Sequence, residues 1–175
     1  MGHLANTMYA VLLITVLAFT GAQSETETLT NSEVGRHYLD AMYSFNFAEL
    51  EKSLHPDAVF EDPTSVAAVP DVVWRFNGRD AILDFIRQSS EGIDEADYQV
   101  LSEFSTGEFV VFNIDYSAVF DGEMMGMPDR RFSIKVPAVT ILRIQDGLVI
   151  HHADHVNYDL MLEQIAEQSP EQPTQ

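Results

Sequence analysis

Near the end of the chain, VIHHADHVNYD (149–159) gathers His151, His152, His155, Asp154 and Asp159 into one short stretch. Imidazoles and carboxylates this close could hold a metal ion or move a proton, and spacing discriminates between the two. The preceding Asp146–Gly147 pair is a hairpin signal, which makes 148–157 a strand. On a strand, residues two apart share a face and each step advances about 3.3 Å. His151 and His155 share one face but lie roughly 13 Å apart, too far to grip one ion. They are expected to face solvent. His152 and Asp154 share the opposite face with Ile150 and Val156, about 6.6 Å apart. Two ligands in a chain without cysteine fall short of a zinc set, so no metal is expected. Proton transfer remains. A carboxylate among apolar neighbours is costly to bury unless it is hydrogen-bonded or partly protonated, which marks Asp154. A histidine beside it can exchange protons near neutral pH, which marks His152.

One strand cannot build a pocket, so the other elements matter. Val34, Tyr38, Ala41 and Met42 recur at helical spacing, with Asn31 or Ser32 as the expected cap. NFAELEKSLHP (46–56) reads as a second short helix ended by Pro56, and DAVFEDP (57–63) as a short strand that stops at Pro63. Residues 64–73 read as a loop. GRDAILDFIRQSS (78–90) is a third helix with Ile82, Phe85 and Ile86 on one side. Beyond Gly92 the alternation becomes strand-like over four segments, and DLMLEQIAEQ (159–168) is a closing helix. Helices followed by an antiparallel meander are an α+β pattern. A curved sheet wrapped on helices leaves a cavity at its concave face.

Composition narrows the partners. Nine Lys and Arg against 28 Asp and Glu give a net charge of −19, which disfavours nucleic acid and anionic membranes. The absence of cysteine excludes disulfides and a thiol nucleophile. MYAVLLITVLAFTGAQS (8–24) has the apolar run and small residues of a cleavable signal, too short to span a bilayer comfortably. Residues 1–24 are therefore expected to be a signal peptide, 25–31 a flexible linker, 32–167 the domain and 168–175 a disordered tail. The expected location is secreted or periplasmic, with no stable membrane association after cleavage.

AVFEDPTS (58–65) followed by FNGRDAILDFI (76–86) resembles the nuclear transport factor 2-like (NTF2-like) superfamily, which includes SnoaL-type polyketide cyclases, ketosteroid isomerases and limonene-epoxide hydrolases. The likeness extends over about residues 32–166. It implies a cone-shaped α+β roll, about three N-terminal helices on a curved, mostly antiparallel sheet. By likeness to the isomerases, Asp62 stands where they carry a catalytic aspartate and Tyr38 where they carry an oxyanion-hole tyrosine. Thr140 falls near their second oxyanion donor. By likeness to the cyclases and epoxide hydrolases, Asp154 matches a last-strand aspartate. Asp115 is the candidate second acid of an epoxide-opening pair, with Asn113 in place of an arginine. Asp115 also shares a strand face with Asn113 and Ser117, opposite the large apolar set, which is the pattern of a solvent-facing residue.

These readings converge on an apolar pocket holding Asp62, Tyr38, His152 and Asp154, walled by Tyr43, Phe60, Trp74 and Phe85. The expected activity is cofactor-free acid–base chemistry on a small hydrophobic molecule, by isomerase- or cyclase-like proton transfer. Two alternatives stand beside it: a non-catalytic ligand-binding or assembly module, and an epoxide hydrolase using Asp115 and Asp154. A homodimer is expected if Phe112, Tyr116 and Phe120 form an apolar convex face, although the same residues could line the core.

Overall fold

In the computed structural model, residues 29–169 are described except 124–126 and 128. The expected signal peptide and most of the expected tail lie outside the described residues. The chain runs α1 (Asn31–Tyr43), α2 (Phe47–Ser53), β1 (Leu54–Asp62), a 310 turn (Pro63–Ala67), β2 (Trp74–Asn77) and α3 (Arg79–Ser90). It continues through β3 (Ile93–Thr106), β4 (Phe109–Asp121), β5 (Arg131–Gln145), β6 (Leu148–Val156) and α4 (Tyr158–Gln168). This is the α+β NTF2-like architecture the resemblance implies. No helix among the described residues is long and apolar enough to cross a membrane.

Local chemistry explains the boundaries. Thr30, not Asn31 or Ser32, caps α1: its side chain accepts from the Glu33 amide while Glu33 reaches back, a reciprocal capping box. The T-x-x-E spacing is the readable signal. Asp146 (φ 51°) and Gly147 (φ 76°) both take positive φ, as a tight two-residue hairpin requires, and register β5 against β6.

The sheet has six strands in the order β2-β1-β6-β5-β4-β3. The meander β3–β6 is antiparallel as expected, but β1 joins β6 in parallel and β2 adds to the far side of β1. β2 escapes sequence reading because four residues after an irregular loop are too few to show alternation. On β5 the inward row is Phe132, Ile134, Val136, Ala138, Thr140, Leu142 and Ile144, all buried, with Thr140 its single polar member.

β6 departs from simple alternation. Arg143 pairs with His151 but Ile144 pairs with Val149, so Ile150 is an extra, bulged residue. Val149 therefore points inward and is fully buried, whereas Ile150, expected to share the His152 face, is only half-buried. Beyond the bulge the expected alternation resumes, with His152 and Asp154 inside.

Two apolar clusters stabilise the fold. One joins α1–α3 to the sheet around Tyr38, Leu39, Phe60, Ile82 and Phe112; the other gathers Ala118, Phe132 and Ile134 under Ile165 of α4. Helix and sheet meet closely at Gly35, where an added Cβ would lie 2.9 Å from Phe112 Cε2 and 3.4 Å from Leu142 Cδ1. Gly35→Ala gains up to about 1 kcal/mol of helix propensity, but overpacking against a fully buried ring costs about 1–3 kcal/mol. The expected outcome is a net loss of about 1 kcal/mol, read as a lower urea midpoint at unchanged slope.

Candidate active site

Strand register assembles the site. Thr140 of β5 lies opposite Asp154 of β6, and Phe60 of β1 lies beside His152. Asp62, two residues beyond Phe60, falls at the level of Asp154. Sequence-distant residues thus meet on one concave face.

At the centre is Asp154, only 9% exposed. Its Oδ1 accepts a 2.6 Å hydrogen bond from Thr140 Oγ1. His152, fully buried, brings Nε2 to 2.9 Å from the same Oδ1. That approach lies outside the directional range of a hydrogen bond, and Nε2 has no other partner among the described residues. The contact is therefore electrostatic. Behind the histidine, Nδ1 meets the Tyr38 hydroxyl at 2.7 Å. Burial and then the Asp154 charge hold the Tyr38 phenol far above its usual value, so it is a hydroxyl. With a carboxylate facing Nε2, the consistent tautomer has Tyr38 donating to Nδ1 and the ring proton on Nε2. Asp154 lines the cavity, and its Oδ2 receives no hydrogen bond among the described residues.

That cavity has a volume of about 490 Å³. Tyr43, Phe60, Trp74 and Phe85 are among the residues that wall it. Tyr116, Phe120 and Tyr158 line it as well, whereas Phe112 is fully buried in the core. The apolar row considered for a convex dimer face is therefore interior. Tyr38 and His152 stand behind Asp154 and are not part of the wall, so Tyr38 is not positioned as an oxyanion donor.

Asp62 reaches the wall but is saturated. Its Oδ1 accepts from the Thr64 amide (2.8 Å), the Thr64 hydroxyl (2.5 Å) and the Ser65 amide (3.1 Å), and its Oδ2 from the Tyr158 hydroxyl (2.6 Å). It caps the 310 turn that follows β1. Asp115 lies on the opposite face of the sheet, 3.2 Å from Lys135 Nζ, and does not line the cavity. It cannot pair with Asp154 on one substrate. His151 sits 3.3 Å from Glu61 on the outer side, and His155 is exposed. No cluster of three or more metal-ligating side chains occurs among the described residues.

The phenols at the wall were the functional groups that sequence reading undervalued. Burial first, then the Asp154 charge, pushes the Tyr43 phenol well above its usual value, and burial pushes Tyr116 up to about 12. Burial and the bond to Asp62 raise Tyr158 in the same direction. These groups remain donors at neutral pH. The signal for Tyr158 was its place in the same stretch as Asp154, two residues after the strand ends.

The raised phenols predict an alkaline limit. Each ionises near pH 10 in the unfolded chain but resists ionisation when folded, so its contribution to stability is complete below about pH 10 and falls as pH rises. Tyr38, Tyr43, Tyr116 and Tyr158 should each remove about 1.4 kcal/mol per pH unit above that point, for Tyr116 until about pH 12. Urea midpoints should fall steeply there, with tyrosinate absorbance appearing together with unfolding.

Known proteins share this fold. Two provisionally assigned SnoaL-like polyketide cyclases superpose with TM-scores of 0.72 at 26% identity. The one from Shewanella denitrificans OS-217 aligns over 79% of this chain and 98% of its own, and the one from Shewanella putrefaciens CN-32 over 81% and 100%. An epoxide hydrolase of M. tuberculosis, resembling limonene-epoxide hydrolases, has TM-score 0.61 at 12% identity, covering 79% of this chain and 90% of its own, and so shares the fold alone. No curated protein matches the sequence. The SnoaL-like domain profile matches residues 35–152, and the chain belongs to the SnoaL-like domain family of the NTF2-like superfamily.

Proposed function

We propose that this protein is a cofactor-free acid–base enzyme in which Asp154 transfers a proton next to the carbonyl of a small hydrophobic molecule. The observation that carries the reading is Asp154 itself. One carboxylate oxygen is anchored by Thr140 and approached by His152, the other receives no hydrogen bond among the described residues, and the residue lines an apolar cavity. A base must keep a lone pair free for the substrate, and Oδ2 is that lone pair. Oδ2 removes a proton from the carbon beside the carbonyl, and Asp154 becomes the neutral acid. The charge moves to the carbonyl oxygen, where a phenol of Tyr43 or Tyr116 donates a hydrogen bond. Return of the proton from Oδ2 to a different carbon completes an isomerisation. Alternatively, the enolate carbon attacks a second carbonyl, forming the C–C bond and an alkoxide. The alkoxide takes the proton back from Oδ2, which completes an aldol cyclisation and regenerates the base. Tyr38 and His152 are positioning residues that hold Asp154 and place a donor beside its charge.

The epoxide-hydrolase reading loses its second acid, because Asp115 is engaged with Lys135 on the outer face. A non-catalytic binding module is the remaining rival, since the same cavity would hold a ligand without turnover. We further propose that the protein acts outside the cytoplasm, a reading supported by the signal-like residues 8–24.

Incubation of the purified protein with a β,γ-unsaturated ketone separates the readings. Growth of conjugated-enone absorbance supports the enzyme. A co-purified ligand found by mass spectrometry, with no growth in absorbance, supports the binding module.

A further inference from the structure

The cavity wall is charged in one sense only. Asp62 and Asp154 both line it, and no lysine, arginine or histidine does so among the described residues. Asp154 is nine-tenths buried with Oδ2 unpartnered among those residues. An anionic ligand would meet two carboxylates in a low-dielectric space with no lysine, arginine or histidine on the described wall to pair with it.

The rest of the wall suits a cation. The Trp74 ring meets Tyr158 edge-on at 5.9 Å and 89°, and Phe85 lies 5.6 Å from Trp74. Rings set at right angles make a concave corner that offers more than one π surface to a single guest. An ammonium is attracted to such surfaces within about 6 Å of the ring centroids. Asp62 stands at the same corner, because the Tyr158 hydroxyl donates to its Oδ2 at 2.6 Å. The net charge of −19 draws cations toward the molecule from a distance.

We infer that the ligand of this cavity is a hydrophobic ammonium compound, its cationic group seated in the Trp74–Phe85–Tyr158 corner beside Asp62 and its apolar remainder extending toward Asp154. The inference rests on the reading of this cavity as the ligand site and adds the class of ligand. It gives the two carboxylates separate roles. Asp62, whose oxygens already accept four hydrogen bonds, supplies charge for recognition, while Asp154 keeps the free oxygen for chemistry.

Trp74 is the single tryptophan of the chain and lies in the proposed corner, so its fluorescence reports occupancy directly. Three probes of similar shape should be titrated: benzyltrimethylammonium, its carbon isostere neopentylbenzene, and 3-phenylpropanoate. Benzyltrimethylammonium should bind at least about tenfold more tightly than neopentylbenzene, with 3-phenylpropanoate weakest. Asp62→Asn should weaken the ammonium about fivefold and change the neutral probe by less than about twofold. Phe85→Leu, which keeps the reporter, should reduce the preference for the cation. Equal or tighter binding of neopentylbenzene, preference for 3-phenylpropanoate, or no binding of any probe at millimolar concentration would overturn the inference. The titration reads binding without turnover. An inactive protein that keeps the cation preference therefore overturns the catalytic reading alone, and an active one that lacks it overturns this inference alone.

Discussion

Replacing Asp154 with asparagine is expected to lower kcat/KM for a β,γ-unsaturated ketone about a thousandfold, a loss near 4 kcal/mol of transition-state stabilisation. The substitution is nearly isosteric. The amide oxygen still accepts from Thr140 Oγ1, which now donates at 2.6 Å, so the fold has little reason to change. What disappears is the basic lone pair of Oδ2. Substrate binding should change by no more than about threefold, because an apolar cavity draws its affinity mainly from buried area. The loss should therefore fall on kcat. His152→Gln and Tyr38→Phe are expected to act more weakly, about tenfold, because they orient the carboxylate without touching substrate. Their signature is a changed pH profile of kcat, which a purely structural role would not produce. An Asp154→Asn variant as active as the parent would remove the assignment.

Replacing Asp62 with alanine is expected to cost about 3–5 kcal/mol of stability, among the larger effects a single substitution produces. The carboxylate accepts the Thr64 and Ser65 amides and the Thr64 and Tyr158 hydroxyls, and it is only 2% exposed. Alanine leaves all four donors without their acceptor. Buried donors stranded in this way cost about 1–3 kcal/mol each before water or relaxation recovers part of the loss. The Tm should fall by roughly 10 °C for a domain of this size. Asp62→Asn keeps one acceptor oxygen for the 310 turn, and Tyr158 can then accept from the amide, so its loss should stay near 1 kcal/mol. An alanine variant with the parental urea midpoint would show that these bonds do not support the fold.

The contrast between the two aspartates marks how far sequence reading reached. The helices, the antiparallel meander and the Asp–Gly hairpin were legible because each is written in local spacing, although α2 ends at Ser53 and Leu54, His55 and Pro56 join β1 instead of completing the helix. The inward faces of His152 and Asp154 were legible too, although the bulge at Ile150 was not. A bulge depends on the partner strand, and the register of β5 against β6 is a long-range property. For the same reason the parallel pairing of β1 with β6 could not be read, and that pairing is what brings Phe60 and Asp62 beside His152 and Asp154. The resemblance marked Asp62 as a catalytic position and Tyr38 as an oxyanion donor. In the structure Thr64, Ser65 and Tyr158 donate to Asp62, and the Tyr38 hydroxyl meets His152. Hydrogen-bond saturation is a three-dimensional property, and no spacing rule exposes it. The alternation of β4 correctly put Asp115 opposite the apolar set, where Lys135 meets it.

The central claim is that Asp154 moves a proton at carbon inside the cavity. Solvent exchange tests it most directly: a small apolar ketone such as 2-tetralone is incubated with the protein in deuterated buffer, and loss of the proton beside the carbonyl is followed by NMR. The parent protein should accelerate deuterium uptake well above buffer alone, and Asp154→Asn should return it to the buffer rate while its thermal unfolding is unchanged. Uptake at the buffer rate with the parent, or equal acceleration by the folded Asp154→Asn variant, would contradict the account.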